Sequence, residues 1–361
     1  MASPSPRPAD ADAPNNPNNN RWSLAIHGGA GVINADDPEW IRAGLEGLRT
    51  ALKAGADVLN GGGSALDAAE AAVVALEDNP LFNAGKGSVL TRSGKHELEA
   101  SVMVCEDGVG QQQHHHHADG GDGSGALRCG AAALLTRVKN PIRLARVVME
   151  RTPHTFIAGE EAEKLAESEL GPEALVESNE WFGTEARRAQ WRRWKEREDE
   201  QEKQEGAVRP PPRPDDIIQK NQTMGTVGAV ALDARGGLAA ATSTGGRCGK
   251  FDGRIGDTPV CGAGNWADRR VAVSGTGVGE SFARRCAAKD LAARVEYGGC
   301  GVEEAARAVV FGSLARGDGG VIAVDARGSV AMPFNSPGMW RGVADSSGKF
   351  EIGVFEGMEG G

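Results

Sequence analysis

The pair Gly225-Thr226 opens a β-prone apolar run, 226–233, directly behind a long polar stretch. A hydroxyl is a weak nucleophile unless a base stands beside it. An N-terminal threonine meets that need within one residue. Its own α-amine, ordinarily titrating at about 7.7–8.0, can take the hydroxyl proton. That amine exists only once the Gly225–Thr226 bond is cut. Gly225 keeps a Cβ away from the carbonyl to be attacked, and a mobile segment ahead of the strand can leave without disturbing a core. The chemistry suggested is self-cleavage before Thr226, followed by nucleophilic attack on an amide. A Gly-Thr pair at a strand start is in most chains structural, so the neighbouring motifs must decide.

Other residues suggest chemistry and also have ordinary explanations. Arg254 and Asp257 could be an ordinary surface ion pair worth under about 1 kcal/mol. The run Thr276-Gly277-Val278-Gly279-Glu280-Ser281 has the look of a phosphate loop. It lacks the lysine of G-x-x-x-x-G-K-[ST], which argues against nucleotide binding. A His-based triad would have to use His27, His96 or His154, because the other four histidines are the run His114 to His117. That run lies in a Gly/Gln-rich stretch and reads as a loop expansion or inserted tag rather than a metal site. His27 reads as a strand-end residue supporting the glycines behind it. Cys105, Cys129, Cys248, Cys261, Cys286 and Cys300 form no C-x-x-C pair, so neither a zinc site nor a disulfide framework is expected.

The elements that must position these residues can be read in outline. An apolar run at 21–26 ends in His27-Gly28-Gly29-Ala30-Gly31, a strand entering a tight loop. Helical spacing covers 38–53 and stops near Gly55. Ser64-Ala65-Leu66-Asp67 fits a capping box for a helix that runs to Asn79-Pro80. Strands are expected at 96–104 and 129–138, and a helix from Asn140-Pro141 to about Met149. Thr226 to Asp233, a turn at Asp233-Ala234-Arg235-Gly236, and a return at 238–244 make one hairpin. The same signature recurs at 321–334 around Asp325-Ala326-Arg327-Gly328. A strand at 271–274 precedes helical segments at 281–297 and 302–315. Strands in the centre with helices between and after them fit sheets packed together under helices.

Two stretches break the pattern. Residues 106–125 are rich in Gln, His, Gly and Asp. Residues 160–221 are dominated by Glu, Arg, Lys and Gln and then by prolines. The first part of the latter has helical character and the remainder reads as a flexible linker. Trp181, Trp191 and Trp194, mixed with arginines, suggest an amphipathic helix over a core edge. Residues 1–20 read as a disordered tail without the apolar core of a secretion signal, so a cytoplasmic location is expected. The net charge of −10 disfavours a nucleic-acid partner, which needs a basic face. No apolar run suits a membrane span.

The whole set of motifs resembles the plant-type asparaginase and isoaspartyl peptidase family of N-terminal nucleophile hydrolases. The resemblance rests on His27-Gly28-Gly29-Ala30-Gly31, Asn79-Pro80-Leu81-Phe82-Asn83-Ala84-Gly85-Lys86-Gly87, residues 97–103, and Gly225-Thr226-Val227-Gly228. It continues through Ala241-Thr242-Ser243-Thr244-Gly245-Gly246, Gly253-Arg254-Ile255-Gly256-Asp257, Gly262-Ala263-Gly264, Thr276-Gly277-Val278-Gly279-Glu280 and Met332-Pro333-Phe334-Asn335. These occur in family order over about 22–355, apart from the two low-complexity stretches.

The resemblance implies an α+β fold, a four-layer αββα sandwich that is one domain of two chains after self-cleavage. Residues 21–225 would be the α subunit and 226–361 the β subunit, and the mature form a dimer of αβ heterodimers. It implies Thr226 as nucleophile, Thr244 orienting it, Thr242 in support, and Thr276 with the Gly277 N–H as oxyanion donors. Arg254 would hold the substrate α-carboxylate, where a planar fork suits the anion. Asp257 would hold the ammonium, with Gly279 adding a backbone contact and Asn83 and Gly29 lining the nucleophile's side. The implied substrates are L-asparagine and β-aspartyl dipeptides. No organic cofactor is implied. A structural sodium would sit on the carbonyls of Leu76, Glu77, Asn79, Phe82, Ala84 and Lys86, oxygen ligands suiting a hard cation.

The chain departs from the family in its tail, in the insert after the 97–104 strand, in its long linker, and at Arg247-Cys248-Gly249. The last lies near the substrate grip and puts substrate preference in question. Two alternatives stand beside this reading. Glycosylasparaginases and threonine aspartases carry Asp before the threonine, so Gly225 argues against them. An interaction protein that keeps the fold and uses the Trp/Arg linker would leave the chain uncut.

Overall fold

In the computed structural model, which describes residues 21–106, 126–205, 225–357 and 359–360, two sheets lie face to face. The first part of the chain contributes β1 (Ser23–Gly31), α1 (Pro38–Asn60), α2 (Ala65–Glu77), β2 (Leu98–Glu106), β3 (Ala126–Leu135), α3 (Pro141–Arg151), β4 (Phe156–Ala158), α4 (Glu160–Leu170) and α5 (Glu185–Glu205). After residue 225 come β5 (Val227–Leu232), β6 (Leu238–Thr244), β7 (Asn265–Ala267), β8 (Val271–Gly277), α6 (Gly279–Arg285), α7 (Ala287–Glu296) and α8 (Val302–Ala308). The chain closes with β9 (Gly319–Asp325), β10 (Val330–Ala331), β11 (Gly338–Asp345), β12 (Phe350–Gly353) and β13 (Glu359–Gly360). The larger sheet runs β13-β12-β11-β1-β5-β6-β2-β3-β4 and the smaller β10-β9-β8-β7.

The packing follows from period-two alternation. Val227, Ala229 and Ala231 of β5 face α1 and α2, together with Ala239 and Ala241 of β6. Val230 and Leu232 point the other way, onto Ala272, Ile322 and Val324 of the smaller sheet. That sheet's far face, Val271, Val273, Val321 and Ala323, packs on Phe282, Leu291 and Val302 of the last three helices. Burial on both faces explains why 226–233 reads as an unbroken apolar run. No helix among the described residues is long and apolar enough to cross a membrane.

Several expected boundaries move. α1 continues through Gly55 to Asn60. At Gly55 a Cβ would come within 2.7 Å of Leu24 and 2.8 Å of the Ala68 carbonyl, so this glycine marks close packing, not a stop. The Ser64 capping box is present in both directions. Asn140, expected to cap α3, instead donates to Asp78 at 2.9 Å. The segment 281–297 divides at Cys286, whose φ of 47° ends one helix before α7 begins. Helix α8 passes at Ala308 into a π-turn, Val309–Ser313.

The expectation for 160–221 needs the largest correction. Residues 160–205 carry α4, two short 3₁₀ turns and α5. They bury Glu163, Phe182, Arg187 and Trp194. Ion pairs along α5, such as Arg192 with Glu185, account for its charge-rich composition. The tail at 1–20, most of the 106–125 insert with its His run, and 206–224 lie outside the described residues.

Candidate active site

Thr226 stands one residue before β5, and Gly225 and Thr226 form part of a cleft lining that also includes Asn83, Thr244, Arg254, Asp257, Gly277 and Gly279. The strand pairing explains the meeting. β5 runs antiparallel to both β1 and β6, so its N-terminal end lies beside His27 and Ser243. The smaller sheet brings the end of β8, Thr276-Gly277, to the same place.

Gly225 is tightly held. A Cβ on Gly29 would lie 2.2 Å from the Gly225 nitrogen, and one on Gly225 would lie 3.0 Å from Thr276 Oγ1. Gly29 has φ of +112°, so a glycine is required there both for conformation and for this approach. The Ala30 N–H donates to Thr276 Oγ1 at 3.2 Å, leaving the threonine's own proton free to donate elsewhere. At Gly277 a Cβ would collide with the Asp318 carbonyl. In the uncut chain the free volume of the cleft is about 30 Å³, room for one or two waters and not for an amino acid.

A buried chain of polar groups runs beneath Thr226. His27 Nδ1 lies 2.9 Å from the Thr226 carbonyl, and Nε2 lies 2.8 Å from Ser274 Oγ. Ser274 Oγ is 2.8 Å from Thr242 Oγ1, which accepts from Asn265 Nδ2 at 3.2 Å. The directions are determined. The Thr226 carbonyl only accepts, so Nδ1 carries the proton. Burial drives the imidazole pKa down to about 3, the Thr226 hydrogen bond only partly opposing. The ring is therefore neutral and Nε2 accepts from Ser274, which in turn accepts from Thr242. Thr242 thus joins His27 through Ser274. His27 does more than brace a glycine loop: it fixes the backbone of Thr226.

Thr244 ends β6, is buried, and accepts from the Gly246 N–H at 2.9 Å. The hydroxyl of Thr226 makes no hydrogen bond among the described residues, so the expected Thr244–Thr226 bond is not formed in the uncut chain. Asn83 ties the first part of the chain to the second. Its Nδ2 donates to the Gly246 carbonyl at 2.7 Å, its carbonyl accepts from Gly245, and its Oδ1 takes the Val89 N–H.

Charges are close to balanced in the cleft. Arg254 does not pair with Asp257. It donates through Nε and Nη2 to Glu280 Oε1 at 3.1 and 3.0 Å and lies 3.7 Å from Glu99. Glu99 also accepts the Gly256 N–H with both oxygens. Buried Lys250 donates to the Glu97 carbonyl at 2.8 Å. Burial pushes the Asp257 pKa up to about 7, against the pull of Arg254 and with the push of Glu99 and Glu280. A Cβ on Gly279 would lie 2.7 Å from both Arg254 Nη2 and Asp257 Oδ1, so the glycine leaves both groups open to the cleft. Glu99, Glu280, Ser274 and Asn265 had no assigned role from sequence, although the first two lie inside family-like motifs.

The loop after α2 turns carbonyl oxygens around two glycines. A Cβ on Gly85 would lie 2.6 Å from the Glu77 carbonyl, and one on Gly87 would lie 2.2 Å from that of Pro80 and 2.8 Å from that of Phe82. The Glu77 and Asn79 carbonyls each accept one N–H, leaving a second lone pair. Such an oxygen-only loop fits a hard cation. Among the described residues no His/Cys/Asp/Glu group could hold a metal ion.

The asparaginase family model matches residues 20–115 and 117–354. An isoaspartyl peptidase of Salmonella typhimurium is 43% identical over 328 residues, covering 89% of this chain and 95% of that protein. One of Escherichia coli is 42% identical over 324 residues, 88% of this chain and 91% of its own length. An isoaspartyl peptidase/L-asparaginase of Homo sapiens is 39% identical over 336 residues, 92% and 95% of the two chains.

Proposed function

The chain belongs to the asparaginase family, and from that premise we propose that it cuts itself between Gly225 and Thr226 and hydrolyses L-asparagine and β-aspartyl dipeptides through an acyl-enzyme on Thr226. The observation that carries this reading is the setting of Gly225-Thr226, packed beside Thr276 in a cleft that also holds Arg254 and Asp257. Gly225 itself fills the space that a substrate carbonyl would need.

In the first reaction Thr226 Oγ attacks the Gly225 carbonyl carbon. The peptide C–N bond breaks and the nitrogen leaves with the hydroxyl proton as the new α-amine. Water then hydrolyses the ester and frees the Gly225 carboxylate. In the second, that amine takes the Thr226 hydroxyl proton and Oγ attacks the substrate's side-chain carbonyl. The Thr276 hydroxyl and the Gly277 N–H stabilise the oxyanion. The C–N bond breaks, the proton passes to the leaving nitrogen, and water releases aspartate. Arg254 and Asp257 orient the α-carboxylate and α-ammonium, Thr244 and Asn83 hold the nucleophile's surroundings, and His27 with Thr242 fixes its backbone. Gly225 in place of Asp disfavours a glycosylasparaginase.

The alternation of helix-facing and sheet-facing clusters supports a four-layer αββα sandwich. The carbonyl loop at 76–87 supports a structural sodium ion. By family, two αβ units would pair.

Intact mass and a denaturing gel after days of incubation test the cleavage. Fragments of roughly 23 and 14 kDa are expected from 37.5 kDa, the smaller beginning at Thr226, with Thr226→Ala remaining whole. A wild type that never cleaves would point to an interaction-only protein.

A further inference from the structure

One cation in the cleft has no part in the chemistry above. Arg247 is half-buried and lines the cleft with Asn83, Val89, Gln190 and Cys248. Two contacts keep this wall in place. Asn83 holds the Gly246 carbonyl, and Trp194 of α5 packs on Val89 and Cys248. Among the described residues the Arg247 guanidinium makes neither a hydrogen bond nor an ion pair, its only such contact being a backbone carbonyl that accepts from the Lys250 N–H. Burial pushes its guanidinium pKa below the usual range, with Glu280 the largest opposing influence and Arg254 adding to the fall. An unpaired, partly desolvated guanidinium is costly unless an anion completes it. Arg254, by contrast, is already held by Glu280 and Glu99.

The two proposed substrate classes differ in their anions. L-Asparagine has one carboxylate, the one assigned to Arg254. A β-aspartyl dipeptide has a second, at the C-terminus of its leaving amino acid. With the aspartyl part held by Arg254 and Asp257 and its carbonyl at Thr276, the leaving group is left the wall of Gln190, Arg247 and Cys248.

Resting on the hydrolase reading above, we propose that Arg247 is a specificity residue that binds the C-terminal carboxylate of the leaving amino acid and so favours β-aspartyl dipeptides over asparagine. Gln190 assists. Its carboxamide oxygen accepts from Arg187 Nη1 at 3.0 Å, which leaves its NH₂ group for the same anion.

The test measures kcat/KM of the mature enzyme for β-aspartyl-alanine, for its C-terminal amide and for L-asparagine. A charge-assisted hydrogen bond corresponds to about ten- to a hundredfold. Wild type should therefore prefer the free dipeptide to its amide by at least about tenfold, a comparison that needs no variant to fold. Arg247→Met should lower the dipeptide-to-asparagine ratio by a similar factor, mainly through KM, with Arg247→Lys restoring part of it. A wild type indifferent to the amide, or a Met variant that loses both activities equally, overturns the assignment. A wild type that hydrolyses none of the three overturns the hydrolase reading and the assignment with it.

Discussion

A buried aspartate proposed to bind an ammonium sets its own pH limit. Burial raises the Asp257 pKa to about 7, so the charged form is present above that value and is lost as pH falls through it. The free enzyme therefore loses affinity on the acid side. A bound ammonium favours the carboxylate, so kcat is less sensitive than KM. The Thr226 amine, neutral above about 7.7–8.0, adds a separate limb to kcat. The expected result is a KM for L-asparagine that rises as pH falls from about 8 to about 6. Asp257→Asn should raise KM at least about tenfold and flatten its pH dependence. A wild-type KM that stays level over that range would count against the ammonium role. At this scale the sequence was legible in which residues share the cleft, as Thr226 and Arg254 do. It was silent on Glu99 and Glu280, because a carboxylate's type does not reveal which cation it will face. His27 was underread for the same reason: its partners Thr226 and Ser274 are remote in sequence.

Among the elements, α5 shows most clearly what composition conceals. Its residues are mostly Glu, Arg, Lys and Gln, which on average suit solvent, and that average suggested a flexible linker. Three side chains at helical spacing nevertheless make one docking face. Arg187 donates to the Gly87 carbonyl at 2.6 Å, Trp191 to the Thr91 carbonyl at 2.8 Å, and Trp194 is 6% exposed. The tryptophan spacing hinted at this face, but its complement was invisible. Gly249, with φ of +73°, sits where a Cβ would come within 2.0 Å of the Trp194 ring. The departure from family pattern at Arg247-Cys248-Gly249 and the tryptophan of the linker thus fit each other. Trp194→Ala should cost about 3 kcal/mol, at the low end for a large buried aromatic because the cluster is small. Gly249→Ala should also destabilise, by steric overlap plus about 1 kcal/mol for the left-handed backbone. In the Trp194→Ala background only the backbone part should remain. Urea unfolding of the four proteins in a double-mutant cycle measures the coupling; strictly additive costs would show that the two do not pack.

For the molecule as a whole, the proposed cut before Thr226 would not separate the fragments without dismantling the larger sheet. In its order β13-β12-β11-β1-β5-β6-β2-β3-β4, the strands before residue 225 are β1 and the group β2-β3-β4. Strand β1 has later strands on both sides, β11 and β5, and β2 pairs with β6. Helices α1 and α2 of the first fragment cover strands of the second. Neither fragment can bury its apolar faces alone, so each supplies the other's core. The carbonyl loop at 76–87 lies at this junction, because Asn83 within it holds Gly245 and Gly246 of the second fragment. An ion bound there would stabilise the assembled state only, by mass action. The cleaved protein should therefore elute as one species and melt in a single transition. That transition should move up by a few degrees in sodium chloride relative to tetramethylammonium chloride at equal ionic strength, which corresponds to about 1 kcal/mol in a chain this size. Separately produced fragments should fail to fold until mixed. Two melting transitions would mean that the fragments are independent units. A melt indifferent to sodium would leave the interdigitated sheet standing and remove the ion from the junction.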